Sequence, residues 1–278
     1  MAGKYLNKKN RKWVYPVLGI LLVLFTGMIV VSICKITSHK QERDAGVEAY
    51  DSLAHSVVTV LPEEQSAPDE TKDEKPEPEV EVPAKIDVTR PSLEVNFEAL
   101  NAINGQVVAW ISSDTGAINY PVVRGTDNDY YLNHLVDGTS NANGSIFMDF
   151  RNASGFSDRN TFIYGHNMLN GAMFASLTNY ASQSYYEQHP ELLLVTPKGS
   201  YSLQVIAGCV VPGNSDVYQL SFKDDAEFAA YLEKIRVMSD FVSPVEMGMG
   251  DKLVSFSTCA YNYDDARYVV FCKLVAMQ

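Results

Sequence analysis

An uncharged apolar run near the N-terminus, Trp13 to Cys34, limits what this chain can fold into more than any other feature. As an α-helix its 22 residues rise about 33 Å, which is enough to cross a hydrocarbon core of roughly 30 Å. Five of the first twelve residues are Lys or Arg, so the N-terminus is expected in the cytoplasm and the rest of the chain outside. A cleaved signal peptide is the alternative, but the run is longer than a typical signal-peptide core and no clean A-x-A site follows it. We therefore expect an uncleaved, single-pass anchor.

A second segment, residues 62–91, is rich in Pro, Glu, Asp and Lys and contains no aromatic residue. Such a composition cannot bury enough apolar surface to offset the entropy of ordering the chain. It predicts an extended, semi-rigid stalk that holds the following domain away from the lipid. The expected organisation is a cytoplasmic basic segment at 1–12, the anchor at 13–34, a juxtamembrane segment and stalk at 35–91, and an extracellular globular domain at 92–278.

The charge balance excludes one class of partner. The formal net charge is -12, and the basic residues near the N-terminus precede the anchor rather than forming a patch on the domain. Nucleic-acid binding needs clustered Lys and Arg to contact phosphates, so we expect no nucleic-acid partner.

The globular part has the pattern of a mostly β protein. Short apolar strands alternate with turn signals, and the last two strands, KLVSFSTCAY and ARYVVFCKLVAM, are joined by a short loop. One segment, KDDAEFAAYLEKIRVM, places Phe228, Tyr231, Leu232 and Ile235 at helical spacing and predicts an amphipathic helix just before these strands. The pattern favours a β-barrel or sandwich with helical additions.

The four cysteines do not form a disulfide framework or a zinc motif. Cys34 lies in the anchor, which leaves an odd number in the domain and no CxxC spacing. Cys209 and Cys272 lie inside apolar strands and are expected to be buried free thiols, with a disulfide between them as the less favoured alternative. Cys259 differs because it ends a strand and begins a loop, and a strand end offers a nucleophile both rigidity and access.

An arginine follows Cys259 at hairpin spacing. If the two strands pair, Cys259 and Arg267 are cross-strand neighbours with Cβ atoms roughly 5 Å apart. A fixed positive charge beside a thiol stabilises the thiolate, and it also stabilises an oxyanion on a substrate carbonyl. A small buried cysteine and an unrelated surface arginine remain the alternative explanation.

Cysteine catalysis needs a proton carrier, and histidine is the most common one. Of the five histidines, His166 ends the strand TFIYG and mirrors the placement of Cys259, so it is the first choice on spacing. His134, in YYLNHLVDG, is the second. His39 and His55 precede the domain, and His189 lies in a polar loop before Pro190.

Together these features resemble a known family. FSTC with Cys259, the following Arg267 and the upstream YGHN with His166 are similar to the sortase signature, with Phe256 in place of the usual Leu. The resemblance extends from about Asn96 to Leu274, and it is to class B sortases in NFEALNAINGQVVAWI, YPVVRGTDNDYYLNH, GSIFMDFRN and FIYGHNMLNGAMF.

The resemblance implies an eight-stranded sortase β-barrel with N-terminal helices, an extra helix before the Cys strand, and a transpeptidase on the surface of a Gram-positive cell. Cys259 would attack a Thr carbonyl in the sorting motif of an exported protein, His166 would protonate the leaving amine, and Arg267 would stabilise the oxyanion. Ser257, Thr258 and Tyr218 would contribute to substrate binding. A peptidoglycan amine would complete the reaction, and neither a metal nor another cofactor is required.

Three alternatives remain at this level. A hydrolytic cysteine peptidase usually has its Cys at a helix N-terminus with the His downstream, so the order here disfavours it. A non-catalytic binding module would have the same anchor and stalk. A pilus polymerase would use the same chemistry with a pilin Lys as the amine.

Overall fold

The structure is a computed structural model, and it describes residues 11–61 and 93–277. The predicted stalk at 62–91 lies outside the described residues. The first element is a single helix, α1 (Arg11–Val57). Its first part is the predicted anchor: within the described residues it is the one helix long and apolar enough to cross a membrane, with a mean hydropathy of 2.8 over its best window.

The last turns of α1 belong to the folded domain. Tyr50, Ala54 and Val57 are buried in the main hydrophobic core. The chain then forms β1 (Val58–Val60), which pairs antiparallel with β2 (Leu93–Val95) so that Val60 lies opposite Leu93. An apolar helical face at 50–57 therefore packs onto the barrel ahead of the domain start expected at residue 92.

Eight further strands close into a barrel, as the sequence predicts. In chain order they follow α2 (Phe97–Ile103), and short helices lie in two of the connections between them, one of which contains α3 (Gln183–Gln188). They are β3 (Val107–Ser112), β4 (Asn119–Val123), β5 (Ile146–Met148), β6 (Asn160–Tyr164), β7 (Glu191–Thr196), β8 (Gly199–Pro212), β9 (Leu253–Cys259) and β10 (Ala266–Ala276). Around the barrel the order is β10, β8, β7, β3, β4, β5, β6 and β9.

The two faces of the strands pack against different cores. Along β10, Tyr268, Val270 and Cys272 belong to the main cluster. The alternate residues Val269 and Phe271 belong to a second cluster. This alternation is the two-residue period of a strand, and it shows that the barrel is covered on both sides along this strand.

The second core forms under the extra helix, α4 (Asp225–Val237). The four residues predicted from helical spacing, Phe228, Tyr231, Leu232 and Ile235, are all buried there. The Asp224 side chain accepts a hydrogen bond of 2.9 Å from the Glu227 backbone N–H, and acidic residues in the first turn complement the helix dipole. The helix thus begins at the capping residue Asp224, and its buried face covers one side of the barrel.

Candidate active site

Strand register brings the predicted residues together at one end of the barrel. Strands β6 and β9 are parallel neighbours, and Tyr164 pairs with Ser257. His166 lies two residues beyond Tyr164, and Cys259 lies two residues beyond Ser257. Because adjacent strands are about 4.8 Å apart, the segments that carry His166 and Cys259 leave the sheet side by side.

The hairpin predicted for Cys259 and Arg267 is present. Strand β10 pairs antiparallel with β9, and Arg267 lies directly opposite Cys259. The Cys strand therefore has the His strand on one side and the Arg strand on the other. All three side chains are half-buried and line one cavity of about 470 Å³. The other residues that line it are Asn128, Asp129, Leu132, Phe147, Tyr164, Gly165, Gly213, Ser257 and Thr258.

The imidazole of His166 is oriented by a backbone carbonyl. Its Nε2 lies 2.6 Å from the Leu132 carbonyl oxygen. Because a carbonyl oxygen only accepts hydrogen bonds, Nε2 carries the hydrogen and Nδ1 is the nitrogen available for proton exchange. No group that orients His166 could be predicted from the sequence, because a backbone acceptor leaves no side-chain signal.

Two hydrogen bonds join the loop after Cys259 to the segment after His166. The Asn167 amide donates to the Cys259 carbonyl oxygen at 2.8 Å, and the Tyr261 hydroxyl donates to the Asn167 carbonyl oxygen at 3.1 Å. These bonds fix the backbones that carry the nucleophile and the proton carrier relative to each other.

Gly165 is required by the close packing beside His166. A Cβ at this position would lie 2.4 Å from Ile146 Cδ1 and 2.7 Å from a ring carbon of Phe174. These distances are too short for any side chain, so glycine allows the His-bearing strand to pass over the core. The YGH sequence therefore has a packing reason as well as a chemical one.

Arg267 is held at the rim of the cavity. Its guanidinium pairs with Asp265 at 2.8 Å and also donates to the Ala266 carbonyl oxygen at 3.1 Å. Asp265 adopts a positive φ of 59°, and its carboxylate occupies the space that a Cβ on Gly213 would fill. Since the Asp265 side chain is 63% exposed, solvent weakens this ion pair and leaves Arg267 able to turn to a substrate oxygen.

The predicted substrate-binding residues occupy different layers. Ser257 and Thr258 line the cavity. The Thr258 hydroxyl is buried and has no hydrogen-bond partner among the described residues. Tyr218 does not line the cavity but lies behind it, where its hydroxyl and the Ser257 hydroxyl are 2.9 Å apart.

A buried carboxylate supports the cavity wall and was not found from the sequence. The Asp149 side chain is fully buried, pairs with Arg151 at 2.7 Å, and accepts hydrogen bonds from Tyr164 and Asn128. Burial by itself raises the pKa of Asp149, but the hydrogen bonds and charge of Arg151 together with Tyr164 hold that pKa below its ordinary value. Asp149 is therefore an ionised anchor for two residues that line the cavity.

The remaining cysteines and histidines lie elsewhere. Cys209 and Cys272 are buried and unbridged, as favoured, and burial raises the pKa of the Cys209 thiol to about 12 and that of Cys272 further. His134 stacks on Tyr130 with ring centroids 4.0 Å apart and lines no part of the cavity. His189 pairs with Asp114 at 2.7 Å. Within the described ranges, no group of three or more His, Cys, Asp or Glu side chains is placed to hold a metal ion.

Comparisons with known proteins point in one direction. A family model described as the Sortase domain matches residues 113–275. Sortase B of Listeria monocytogenes is 34% identical over 180 residues, covering 63% of this chain and 72% of the relative. Sortase B of Staphylococcus aureus is 34% identical over 181 residues, covering 64% and 74%.

Solved structures agree with the sequence relatives. A crystal structure of Staphylococcus aureus sortase B has a TM-score of 0.63 and 34% identity, covering 66% of this chain and 87% of that one. The Staphylococcus aureus sortase B–substrate complex has a TM-score of 0.63 and 33% identity, with 66% and 85% covered. Clostridium perfringens sortase B has a TM-score of 0.62 and 26% identity, with 65% and 100% covered.

Proposed function

The chain belongs to the sortase family of cysteine transpeptidases and is of class B; from this premise, we propose that it cleaves the C-terminal sorting motif of an exported protein after a Thr. It then joins the new carboxyl end to an amine of peptidoglycan. The observation that carries the proposal is the convergence of Cys259, His166 and Arg267 on one cavity at one end of the barrel.

Cys259 is the proposed nucleophile. It attacks the Thr carbonyl as the thiolate, forming a bond from Sγ to carbon and placing a negative charge on the carbonyl oxygen. Arg267, directly opposite on β10, supplies the positive charge for that oxyanion. Its fixed charge and forked donors suit this role better than a lysine ammonium does.

His166 is the proposed acid and base. As the imidazolium it gives the Nδ1 proton to the leaving amine when the peptide C–N bond breaks, and a thioester on Cys259 remains. The Leu132 carbonyl keeps Nε2 occupied, which supports Nδ1 as the exchanging nitrogen. The incoming amine then attacks the thioester, loses a proton to His166, and releases the Cys259 thiolate as the new amide forms.

The residues that line the cavity support a peptide substrate. Leu132 and Phe147 provide apolar surface, while Ser257 and Thr258 provide hydroxyls on the wall beside the nucleophile. The Thr258 hydroxyl is buried in this wall and has no hydrogen-bond partner among the described residues, which leaves its hydrogen-bonding capacity unused. Tyr218 acts through Ser257, to which it is hydrogen-bonded.

The proposed location follows from the anchor. The long apolar helix is a candidate single membrane span, and the Lys and Arg residues that precede it favour a cytoplasmic segment at 1–12. The barrel then lies on the outer surface, where exported proteins and peptidoglycan amines are found together.

A peptide assay tests the proposal. The full chain in detergent is incubated with quenched LPxTG-, NPxTN- and SPxTG-like peptides and a wall-type amine, and the products are identified by mass spectrometry. We expect cleavage after Thr and amine-dependent ligation, both absent in Cys259→Ala. Cleavage that no amine diverts into ligation would contradict transpeptidation, and ligation only to a pilin-type Lys peptide would replace wall anchoring by pilus assembly.

A further inference from the structure

The C-terminal part of α1 is docked on the barrel next to the loop that carries the His166 acceptor. The Asn141 amide donates to the Glu42 carbonyl oxygen and the Asn143 amide to the Arg43 carbonyl oxygen, each at 2.8 Å. Gly46 makes this approach possible, because a Cβ there would lie 2.5 Å from the Asn143 amide. The helix therefore contacts residues 141–143 from a segment that lies outside the 113–275 match to the Sortase domain.

Tyr50 extends this contact into the interior. It is 3% exposed, its hydroxyl donates to the Gly144 carbonyl oxygen at 2.8 Å, and it lies 2.9 Å from the Ser145 hydroxyl. Ser145 in turn is within hydrogen-bond distance of the His134 carbonyl oxygen, at 2.8 Å. Burial raises the pKa of Tyr50 well above its ordinary value, so the hydroxyl keeps its proton and stays a donor.

The Gly144 backbone passes close to the carbonyl that orients His166. It adopts a positive φ of 58°, and a Cβ on it would lie 2.6 Å from the Leu132 carbonyl oxygen. The same oxygen accepts the hydrogen bond from His166 Nε2 at 2.6 Å. Tyr50 is thus linked to the imidazole by a hydrogen bond to Gly144, a close approach of the Gly144 and Leu132 backbones, and the hydrogen bond between Leu132 and His166.

A second path leads from Tyr50 to the other side of His166. The Tyr50 ring meets Tyr120 edge-on with centroids 5.3 Å apart. The Tyr120 hydroxyl accepts a hydrogen bond of 3.0 Å from the Met173 backbone N–H, in the segment that follows His166. That segment folds back on the histidine, because the Phe174 N–H donates to the His166 carbonyl oxygen at 2.9 Å.

From these contacts we infer that Tyr50, on the juxtamembrane helix, is a positioning residue for His166. It touches neither the substrate nor the reacting atoms. It fixes the Leu132 carbonyl and, through it, the direction of Nδ1. The inference deepens the proposed function and rests on it for the role of His166, and it makes the last turns of the anchor helix a part of the catalytic unit.

The test uses the full chain in detergent and three variants. Tyr50→Phe keeps the ring and removes the hydroxyl, and Ser145→Ala removes the other hydroxyl of the same cluster. Tyr180→Phe is the matched control, since Tyr180 is also a buried tyrosine whose hydroxyl donates to a backbone carbonyl, that of His189, at 2.7 Å. Each variant is measured for thermal unfolding, for kcat and KM with a cleaved peptide, and for the pH dependence of kcat.

We expect kcat to fall about tenfold in Tyr50→Phe and Ser145→Ala, with KM changed by less than about twofold, because a misdirected imidazole slows proton transfer without altering peptide binding. The pH profile should also be displaced in both. Tyr180→Phe should lower the thermal stability similarly and leave kcat and the pH profile unchanged. If kcat and the profile of Tyr50→Phe coincide with those of Tyr180→Phe, Tyr50 is merely structural and the inference is overturned.

A substrate-free measurement separates this inference from the proposed function. If the wild-type chain cleaves no peptide, the proposed function fails, and the pH dependence of Cys259 alkylation by iodoacetamide decides the inference instead. A profile displaced in Tyr50→Phe but not in Tyr180→Phe supports it. Coincident profiles in all the variants overturn it.

Discussion

The β9–β10 hairpin carries one cysteine beside its connecting loop and another near the opposite end of the strand pair, and the two have different surroundings. Cys259 is half-buried, lines a cavity with His166 and Arg267, and precedes a loop. Cys272 is fully buried, pairs with Val254, and burial raises the pKa of its thiol. Residue type is the same, so position along a strand decides which cysteine is available for chemistry and which one packs the core.

The largest expected effect concerns the cysteine at the loop end of the hairpin. Cys259→Ala should lower transpeptidation at least about 1,000-fold, because no other group in the cavity can form the thioester. Cys272→Ala is the matched control and should retain kcat per folded molecule. Measuring ligation rates on equal amounts of folded protein checks both. Residual ligation by Cys259→Ala near the wild-type rate would contradict its assignment as nucleophile.

The next effect concerns Arg267, the charged residue opposite Cys259 at the loop end of the hairpin. Arg267→Lys should lower kcat about 100-fold, since lysine keeps the charge but loses the fork that reaches the developing oxyanion. Arg159→Lys is a control outside the cavity, where Arg159 pairs with Asp225 at 2.5 Å. Steady-state kinetics on both variants measure this difference in kcat. An unchanged kcat for Arg267→Lys would contradict a role for Arg267 in stabilising the oxyanion.

Serine substitutions should sharpen the comparison through stability. Cys272→Ser places a hydroxyl at a fully buried position in the main hydrophobic core and should cost about 2 kcal/mol of unfolding free energy. Cys259→Ser faces the cavity and should cost less than about 0.5 kcal/mol. Urea unfolding of the two variants gives both values. Equal losses would mean that the two thiols are equally buried in solution.

The smallest effect should depend on pH, because the cavity wall is held by charge and the core around Cys272 is not. Asp149 has a pKa held below its ordinary 3.8, so its ionised form stabilises the folded state above that pH and the stabilisation is lost as pH falls through the lowered value. Asp149→Asn should cost about 1–2 kcal/mol at pH 7 and progressively less in acid. Unfolding free energies measured at several pH values test this, and a loss independent of pH would contradict the ionised state of Asp149.

The sequence predicted those parts of the site that follow from local spacing. Cys259 and Arg267 pair across the hairpin because a short loop joins their strands, and this prediction is confirmed. His166, chosen because it ends a strand, lines the same cavity as Cys259, although Cys259 comes from a strand about ninety residues later. No local sequence pattern encodes the parallel pairing of β6 and β9. Spacing alone therefore did not exclude His134 as the proton carrier.

The parts that were missed depend on backbone atoms and on distant contacts. The role of the Leu132 carbonyl could not be predicted, because a backbone group has no side-chain signature. Asp149 could not be distinguished from other acidic residues in the sequence, because its burial is seen only in the structure. The role of residues 42–60 was also missed, because Tyr50 and Val57 pack against segments far along the chain. For this reason a soluble fragment for kinetics should include the docked end of α1 rather than begin at residue 92.

The most direct test of the central claim is to trap the acyl-enzyme and locate it. The full chain is mixed with a cleaved sorting peptide in the absence of amine, quenched in acid, digested and analysed by mass spectrometry. The account predicts a hydroxylamine-sensitive adduct on Cys259 whose mass corresponds to the peptide up to and including Thr. Peptide cleavage with no adduct on Cys259, or with the adduct on Cys209 or Cys272, would contradict it.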